Sequence, residues 1–391
     1  MAVKTVTVLG STGSVGTQTL DLLAASPERF RVRALIAGNN VARLAEQARL
    51  HRPEIAVIAE ESAYPALRDA LAGTGIRAEA GRQAAIGAAG MKADWTMAAI
   101  TGTAGLEPTL AAIRNGGAIA LANKEALVSA GDVFLRAIDA AGATLLPVDS
   151  EHNAIFQALA DGNRRSLEKI ILTASGGPFR EASLADMREA TPERALKHPV
   201  WSMGAKISID SATLFNKGLE VIEAARIFAL APHEIEVLVH PQSIVHGMVC
   251  YRDGSVLAQM GAPDMRIPIA HTLAWPERLE TRSPRLDLAA AAKLEFFAPD
   301  PVRFPALRLA REALVAGQGA STVLNAANEV TVAAFLARRI GFLDIAIVVE
   351  RTMQRLGAPP LPDLEAVLAL DAEARVITES ELRIASASRA A

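Results

Sequence analysis

The 391-residue sequence contains a single cysteine, Cys250. That excludes an internal disulfide and any zinc site built from several thiolates, and it fits a reducing cytosol. Aromatic residues make up 4% of the chain although 51% of it is hydrophobic, so Ala, Leu, Val and Ile must build the interior, as in helix-rich α/β proteins. No charge of one sign dominates. A formal net charge of −3 gives no electrostatic case for nucleic acid or for an anionic membrane. No apolar run reaches the roughly 18 residues that span a bilayer, and residues 1–4 run straight into a strand pattern rather than a signal peptide. A cytoplasmic protein is expected, and its length implies two or three domains.

What is present is an alternation. Short β-rich runs (Thr5–Leu9, Arg31–Ala37, Ile55–Ala59, Trp95–Ile100, Ala118–Ala122, Thr144–Val148) are separated by amphipathic segments such as Val41–Leu50 and Leu106–Ile113. This predicts an α/β, doubly wound, Rossmann-like parallel sheet over residues 1–149. A middle α+β segment, 150–274, combines a helical run (Ala154–Ala160), strand runs (Lys169–Thr173, Ile235–Val239, Ile244–Tyr251) and a helical pattern from Ser211 to Leu230. Arg252–Ser255 followed by Val256–Met260 predicts a hairpin. Residues 197–205, crowded with His, Pro, Trp, Met and Gly, have the composition of a mobile loop. Residues 275–301 resemble a linker, and 302–391 predict a C-terminal helical domain that includes Thr322–Arg339.

Gly10, Gly13 and Gly16 follow the first strand and open the first helix, with Ser11, Thr12, Ser14 and Val15 between them. In that place glycines permit a tight turn and close approach of backbone N–H groups to a pyrophosphate. The second strand ends in Ala37-Gly38-Asn39-Asn40, without the acid that holds the ribose of NAD. NADP is therefore favoured, with Arg33 or the two asparagines available to a 2′-phosphate.

Asp149 and Glu151 lie two apart at the end of the last strand, where an extended chain would point both carboxylates one way. At 100° per residue, Asn216, Lys217 and Glu220 share one quadrant of a helix whose opposite side carries Leu219, Val221, Ile222, Ala225 and Phe228. Three hard carboxylates (Asp149, Glu151, Glu220) would suit Mg²⁺ or Mn²⁺. They could equally be solvated acids. Ser175-Gly176-Gly177, with Ser211, Asn216 and Lys217, offers the hydroxyl, amide, backbone and ammonium donors that a phosphate requires. His240 and His246 lie in strand-like runs and read as structural; Cys250 reads as an inert buried thiol.

Five motifs add to this: Ala122–Ala126, Val148–His152, Ala174–Phe179, Lys197–Gly204 and Ile209–Glu220. In this order they closely resemble the 1-deoxy-D-xylulose 5-phosphate reductoisomerase family, and the resemblance runs from end to end. It implies an enzyme dependent on NADPH and on Mn²⁺ or Mg²⁺ (Co²⁺ is possible), normally a homodimer, acting on a sugar phosphate in non-mevalonate isoprenoid synthesis. By position it implies Asp149, Glu151 and Glu220 as metal ligands. Lys124, Ser150 and Glu151 would touch the substrate, while Ser175, Ser211, Asn216 and Lys217 would bind it and its phosphate. His198 would sit on a closing loop beside Trp201 and Met203. Thr12, Gly13, Ser14, Val15, Gly38, Asn39, Asn40, Asn123, Glu125 and Gly204 match cofactor contacts. Two positions depart from the family pattern: Asn39, where many members carry a basic residue, and Asn153, where serine is common.

The alternatives are a semialdehyde or homoserine-type dehydrogenase, and a non-catalytic NADP sensor. The thiol-dependent form of the first needs an activated cysteine; the second needs neither carboxylate trio nor phosphate cluster.

Overall fold

The computed structural model describes residues 3–159, 164–201 and 203–390, and of 386–390 the backbone alone. Met1, Ala2, Ala160 at the end of one expected helix and Ser202 inside the expected loop lie outside the described residues. Contacts divide the chain into two units. The first comprises Met1–Ala126, Phe134–Asn153 and Asp264–Pro284; the second comprises Leu127–Val133, Ala154–Pro263 and Arg285–Ala391.

The first unit is built on seven strands: β1 (Lys4–Leu9), β2 (Phe30–Ala37), β3 (Ile55–Ile58), β4 (Arg77–Ala80), β5 (Trp95–Ala98), β6 (Ala118–Leu121) and β7 (Thr144–Pro147). They form one parallel sheet in the order β4-β3-β2-β1-β5-β6-β7. Val6, Val8, Leu35, Ile36, Val57 and Met97 are buried, because crossover helices cover both faces of such a sheet and its strands become continuous apolar runs. Those helices are α1 (Ser14–Ala24), α2 (Val41–His51), α3 (Tyr64–Ala70), α4 (Arg82–Ala89), α5 (Leu106–Ile113) and α6 (Lys124–Ala141). The expected doubly wound sheet is present. β4, which was not expected, is one of the two edge strands; its Arg-Ala-Glu-Ala is only partly buried and carries no apolar signal. The strand order reverses between β1 and β5, and the crevice beyond that switch is where open α/β sheets bind ligands.

After α7 (Ser150–Ala158), the second unit opens with β8 (Leu167–Ala174), α8 (Leu184–Arg188), α9 (Pro192–Ala195), α10 (Ala205–Thr213) and α11 (Phe215–Ile227). β9 (Ile235–Val239), β10 (Val245–Tyr251) and β11 (Val256–Met260) follow. The sheet order is β11-β10-β8-β9: β10 and β11 form the expected antiparallel hairpin, and β8 pairs parallel with β9. The single helical pattern expected over Ser211–Leu230 is broken. Leu214 takes a left-handed conformation (φ 61°), so the chain ends α10 and begins α11 there. No Gly or Pro announces that break.

α12 (Arg266–Ala274), expected to belong to the middle segment 150–274, instead packs in the first unit. There the Trp95 indole donates to the Thr272 carbonyl (3.0 Å) and the Lys4 ammonium to that of Leu273 (2.8 Å). Within the expected linker, α13 (Leu288–Ala291) forms and Phe297 bridges to Val239. The second unit ends in α14 (Ala306–Ala316), α15 (Gln318–Leu336), α16 (Asp344–Leu356) and α17 (Leu364–Ala390), the expected C-terminal helices. Their apolar faces share one cluster with Phe179, Ile209, Phe215, Leu219 and Ile222. The middle-segment helices and the terminal helices thus bury each other.

Candidate active site

In the first unit, the backbone N–H groups of Gly10 and Ser11 both donate to the Ile36 carbonyl (2.9 Å each), drawing the turn against the end of β2. α1 starts at Ser14 on Gly13, which supplies no side-chain cap. The first-turn N–H groups, with the positive end of the helix dipole behind them, are therefore suited to an oxyanion. A Cβ at Gly16 would stand 2.2 Å from the Gly10 carbonyl oxygen, so only glycine lets α1 approach the turn so closely. Ser11 and Gly16 are buried, Thr12 and Val15 half-buried, Gly13 and Ser14 exposed.

Gly38, Asn39 and Asn40 are exposed at the end of β2. Asn40 caps α2 by accepting from the Arg43 N–H (3.1 Å). Arg33, offered above as a 2′-phosphate partner, instead pairs with Glu54 (3.2 Å) from the middle of the strand. Arg43, exposed in the first turn of α2, is a cation at the correct end of the strand, and no motif in the sequence marks it.

Asn123 ties down the switch crevice. Its backbone N–H bonds Ala98 (3.0 Å), its Nδ2 donates to the Gly102 carbonyl (3.0 Å), and its Oδ1 caps α6 through the Ala126 N–H (3.2 Å). The next two residues, Lys124 and Glu125, are also buried. The Lys124 ammonium is ion-paired with Asp149. Asp149 does not belong to an extended run with Glu151 as expected; α7 begins at Ser150, and the Asp149 carbonyl accepts from the Asn153 N–H (2.8 Å). The two carboxylates still present oxygens within 4.8 Å of each other, because Asp149 occupies the non-helical position ahead of the first turn. Ser150 donates its hydroxyl to Glu151. His152, buried and given no role in the sequence reading, places a ring nitrogen within 4.8 Å of an Asp149 oxygen. Hard oxygens that already hold an ammonium fit a divalent cation such as Mg²⁺ or Mn²⁺.

Behind them Asn153 donates Nδ2 to the Pro147 carbonyl (2.9 Å) and lies 3.1 Å from His271 Nδ1. Burial pushes His271 down to about 4, so its ring is neutral and accepts at that nitrogen.

In the second unit, β8 ends in the turn Ser175-Gly176-Gly177, whose glycines have φ of 83° and 65°. The Ser175 hydroxyl accepts from the Gly177 N–H (3.2 Å) and lies 2.8 Å from His198 Nε2. His198 Nδ1 accepts from the N–H groups of Val200 (3.1 Å) and Trp201 (2.8 Å). Two donors aimed at Nδ1 fix the ring proton on Nε2, which donates to Ser175. Burial lowers the histidine below its ordinary range, in keeping with a neutral ring. The Ser175 hydroxyl hydrogen is then left for a ligand oxygen.

Gly177 packs against α10 where Ser211 sits; a Cβ there would come within 2.9 Å of the Ser211 carbonyl oxygen. Asn216 and Lys217 both donate to Glu220. Lys217 is 2% exposed and Glu220 0%, so the polar quadrant of α11 is a buried ionic cluster and not a solvated face. Half-buried Ser211 and Asn216 border it. Trp201 and Met203 are half-buried, with the indole 6.2 Å from the His246 ring, and exposed Gly204 starts α10. Cys250 is buried, and burial raises its thiol.

Comparison with known proteins bears on the whole chain. The family model described as 1-deoxy-D-xylulose 5-phosphate reductoisomerase matches residues 6–131, and models of the family's C-terminal domains match 145–228 and 260–377. The 1-deoxy-D-xylulose 5-phosphate reductoisomerase of Gluconobacter oxydans (strain 621H) is 63% identical over 380 residues, covering 97% of this chain and 93% of its own. That of Rhodospirillum centenum (strain ATCC 51521 / SW) is 59% identical over 373 residues, covering 95% and 93%. Among solved structures, the Zymomonas mobilis enzyme in complex with NADPH superimposes with a TM-score of 0.92 at 53% identity, covering 98% of this chain and 99% of its own. A reductoisomerase in complex with NADPH, fosmidomycin and magnesium gives 0.92 at 40% identity, with coverage of 98% and 99%. The chain belongs to the 1-deoxy-D-xylulose 5-phosphate reductoisomerase family.

Proposed function

We infer that this protein converts 1-deoxy-D-xylulose 5-phosphate to 2-C-methyl-D-erythritol 4-phosphate, using NADPH and a divalent cation, in non-mevalonate isoprenoid synthesis. The observation that carries the reading is 63% identity, over 97% of the chain, with a protein of that activity's name. NADPH and magnesium are named with solved relatives that superimpose over nearly the whole chain.

We assign the cation to Asp149, Glu151 and Glu220, on their hard-oxygen chemistry and on the spacing of the first two. When bound, the cation polarises the substrate carbonyl and acidifies the neighbouring hydroxyl; NADPH supplies the hydride that reduces the rearranged carbon skeleton. The chain's own residues do the rest. The Gly10–Gly16 turn, with Ser11 to Val15, receives the pyrophosphate, and Gly38 to Asn40 receive the adenosine end. Asn123, Glu125 and Gly204 complete the cofactor contacts. Lys124 and Ser150 orient the substrate oxygens. Ser175, Ser211, Asn216 and Lys217 hold the phosphate, with neutral His198 donating to the Ser175 hydroxyl so that its hydrogen turns to the phosphate without adding charge. Trp201 and Met203 cover the bound sugar. Holding a phosphate remote from the reacting atoms lets its binding energy close the lid and exclude water.

A thiol-dependent dehydrogenase is disfavoured because burial raises the Cys250 thiol instead of activating it. We also propose a homodimer working in the cytoplasm; light scattering and cell fractionation test those two statements. The activity is tested by following NADPH oxidation with the deoxyxylulose phosphate. Turnover should vanish with EDTA and return with Mn²⁺, while aspartate semialdehyde should not be reduced. No turnover in the presence of added metal would refute the reading.

A further inference from the structure

Asp210 immediately precedes Ser211 on α10 and is 1% exposed. A carboxylate at that depth is costly unless it is bonded on each side. One oxygen accepts from Asn328 Nδ2 of α15 (2.8 Å) and the other is paired with the Lys206 ammonium (2.7 Å), one turn back on α10. Asn328 is itself 0% exposed, and its Oδ1 has no partner among the described residues. The bond to Asp210 is the side-chain bond that its amide makes among the described residues. Lys206 stands two residues after Gly204, where the 198–204 loop enters α10. Asp210 is thus gripped from a scaffold helix and from the root of that loop, next to Ser211 and to the Gly177 contact.

We propose that Asn328 is a positioning residue for substrate phosphate. Through Asp210 it fixes the rotation and depth of α10, so that the Ser211 hydroxyl meets the phosphate together with the Ser175–Gly177 turn. Lys206 neutralises the Asp210 charge, which would otherwise repel a phosphate dianion one residue away. Asn328 itself touches no ligand. The inference rests on the assignment of Ser211 to the phosphate.

The test is a double-mutant cycle in the full-length holoenzyme, read well below the unfolding temperature. Its readouts are KM for the sugar phosphate and the inhibition constant of inorganic phosphate against it. S211A and N328L should each raise both constants about tenfold. N328L should leave kcat and the KM for NADPH within twofold, because Asn328 grips α10 at Asp210, more than a turn away from Gly204 at its start. S211A/N328L should be no weaker than the worse single variant, since a displaced helix no longer offers Ser211; residues acting through one element are non-additive. N328A, which removes the same amide donor without adding bulk, should give the same direction of change and stands in if N328L folds poorly. An impaired S211A beside an N328L whose constants are unchanged, whatever its Tm, overturns the positioning role alone. Multiplicative losses in the double variant overturn it as well. An S211A with wild-type constants removes Ser211 from the phosphate site and overturns both readings.

Discussion

Replacing Gly177 with alanine tests the phosphate turn most directly. At φ 65° an L-residue pays roughly 1 kcal/mol for the left-handed conformation. The new methyl would also stand 2.9 Å from the Ser211 carbonyl oxygen and 3.0 Å from the Ala212 Cα. Both are rigid helix backbone, so the turn must retreat by several tenths of an ångström, at about 1–2 kcal/mol for overpacking. The total is about 2–3 kcal/mol. If the turn relaxes by leaving α10, that energy appears as lost phosphate affinity, roughly 30- to 150-fold in the inhibition constant of inorganic phosphate and in substrate KM. If the turn holds, the same energy appears as a lower Tm. NADPH affinity should not change, because the dinucleotide turn lies in the other unit. Measuring KM, the phosphate inhibition constant and Tm on one preparation captures both routes. A variant with wild-type values of all three would refute the claim that the turn and α10 are rigidly apposed.

Asp149→Asn and Glu220→Gln should each abolish most Mn²⁺-dependent turnover while NADPH still binds, as followed by fluorescence titration; full activity in either removes that residue from the metal site. Asn39→Asp should narrow the preference for NADPH over NADH by repelling a 2′-phosphate, and an unchanged ratio of kcat/KM values would direct attention to Arg43. Trp201→Ala should lose the fluorescence response to a phosphonate analogue and most catalytic efficiency while keeping NADPH affinity; normal turnover would mean that 198–204 is not a lid. His271 has a folded pKa of about 4 against 6.5 in the unfolded chain, so the unfolded state takes up its proton first as pH falls. Stability present above pH 6.5 should decline toward pH 4 by about 1–2 kcal/mol after allowance for solvent at the ring. A His271→Gln variant with the same slope of Tm against pH between 7 and 4.5 would contradict this.

How much of the molecule is legible in its sequence depends on the range of the forces involved. The strands of the first sheet announce themselves because burial on both faces demands unbroken Val, Ile, Leu and Ala runs, and the β10–β11 hairpin because Asp253-Gly254 suits a tight turn. The glycine turn is legible for a steric reason, since no other residue fits at position 16. β4 escapes because an edge strand with Glu and Arg needs only a neighbour's backbone. The break at Leu214 escapes because a left-handed leucine is imposed by packing and not by propensity.

The sequence by itself determined the class of the fold, the position of the glycine turn and the donor types that we propose for phosphate and metal, since each follows from local periodicity or from the donors a residue carries. Tertiary structure alone decided the rest. It buried Lys217 with Glu220, set Lys124 on Asp149, turned His198 toward Ser175, joined Asp264–Pro284 to the first unit, and placed Asn328 against Asp210, 118 residues away. The physical reason is common to all five: each depends on which parts of the chain pack around a group and exclude water from it, and charge and hydrogen bonding acquire their strength only once water has been excluded.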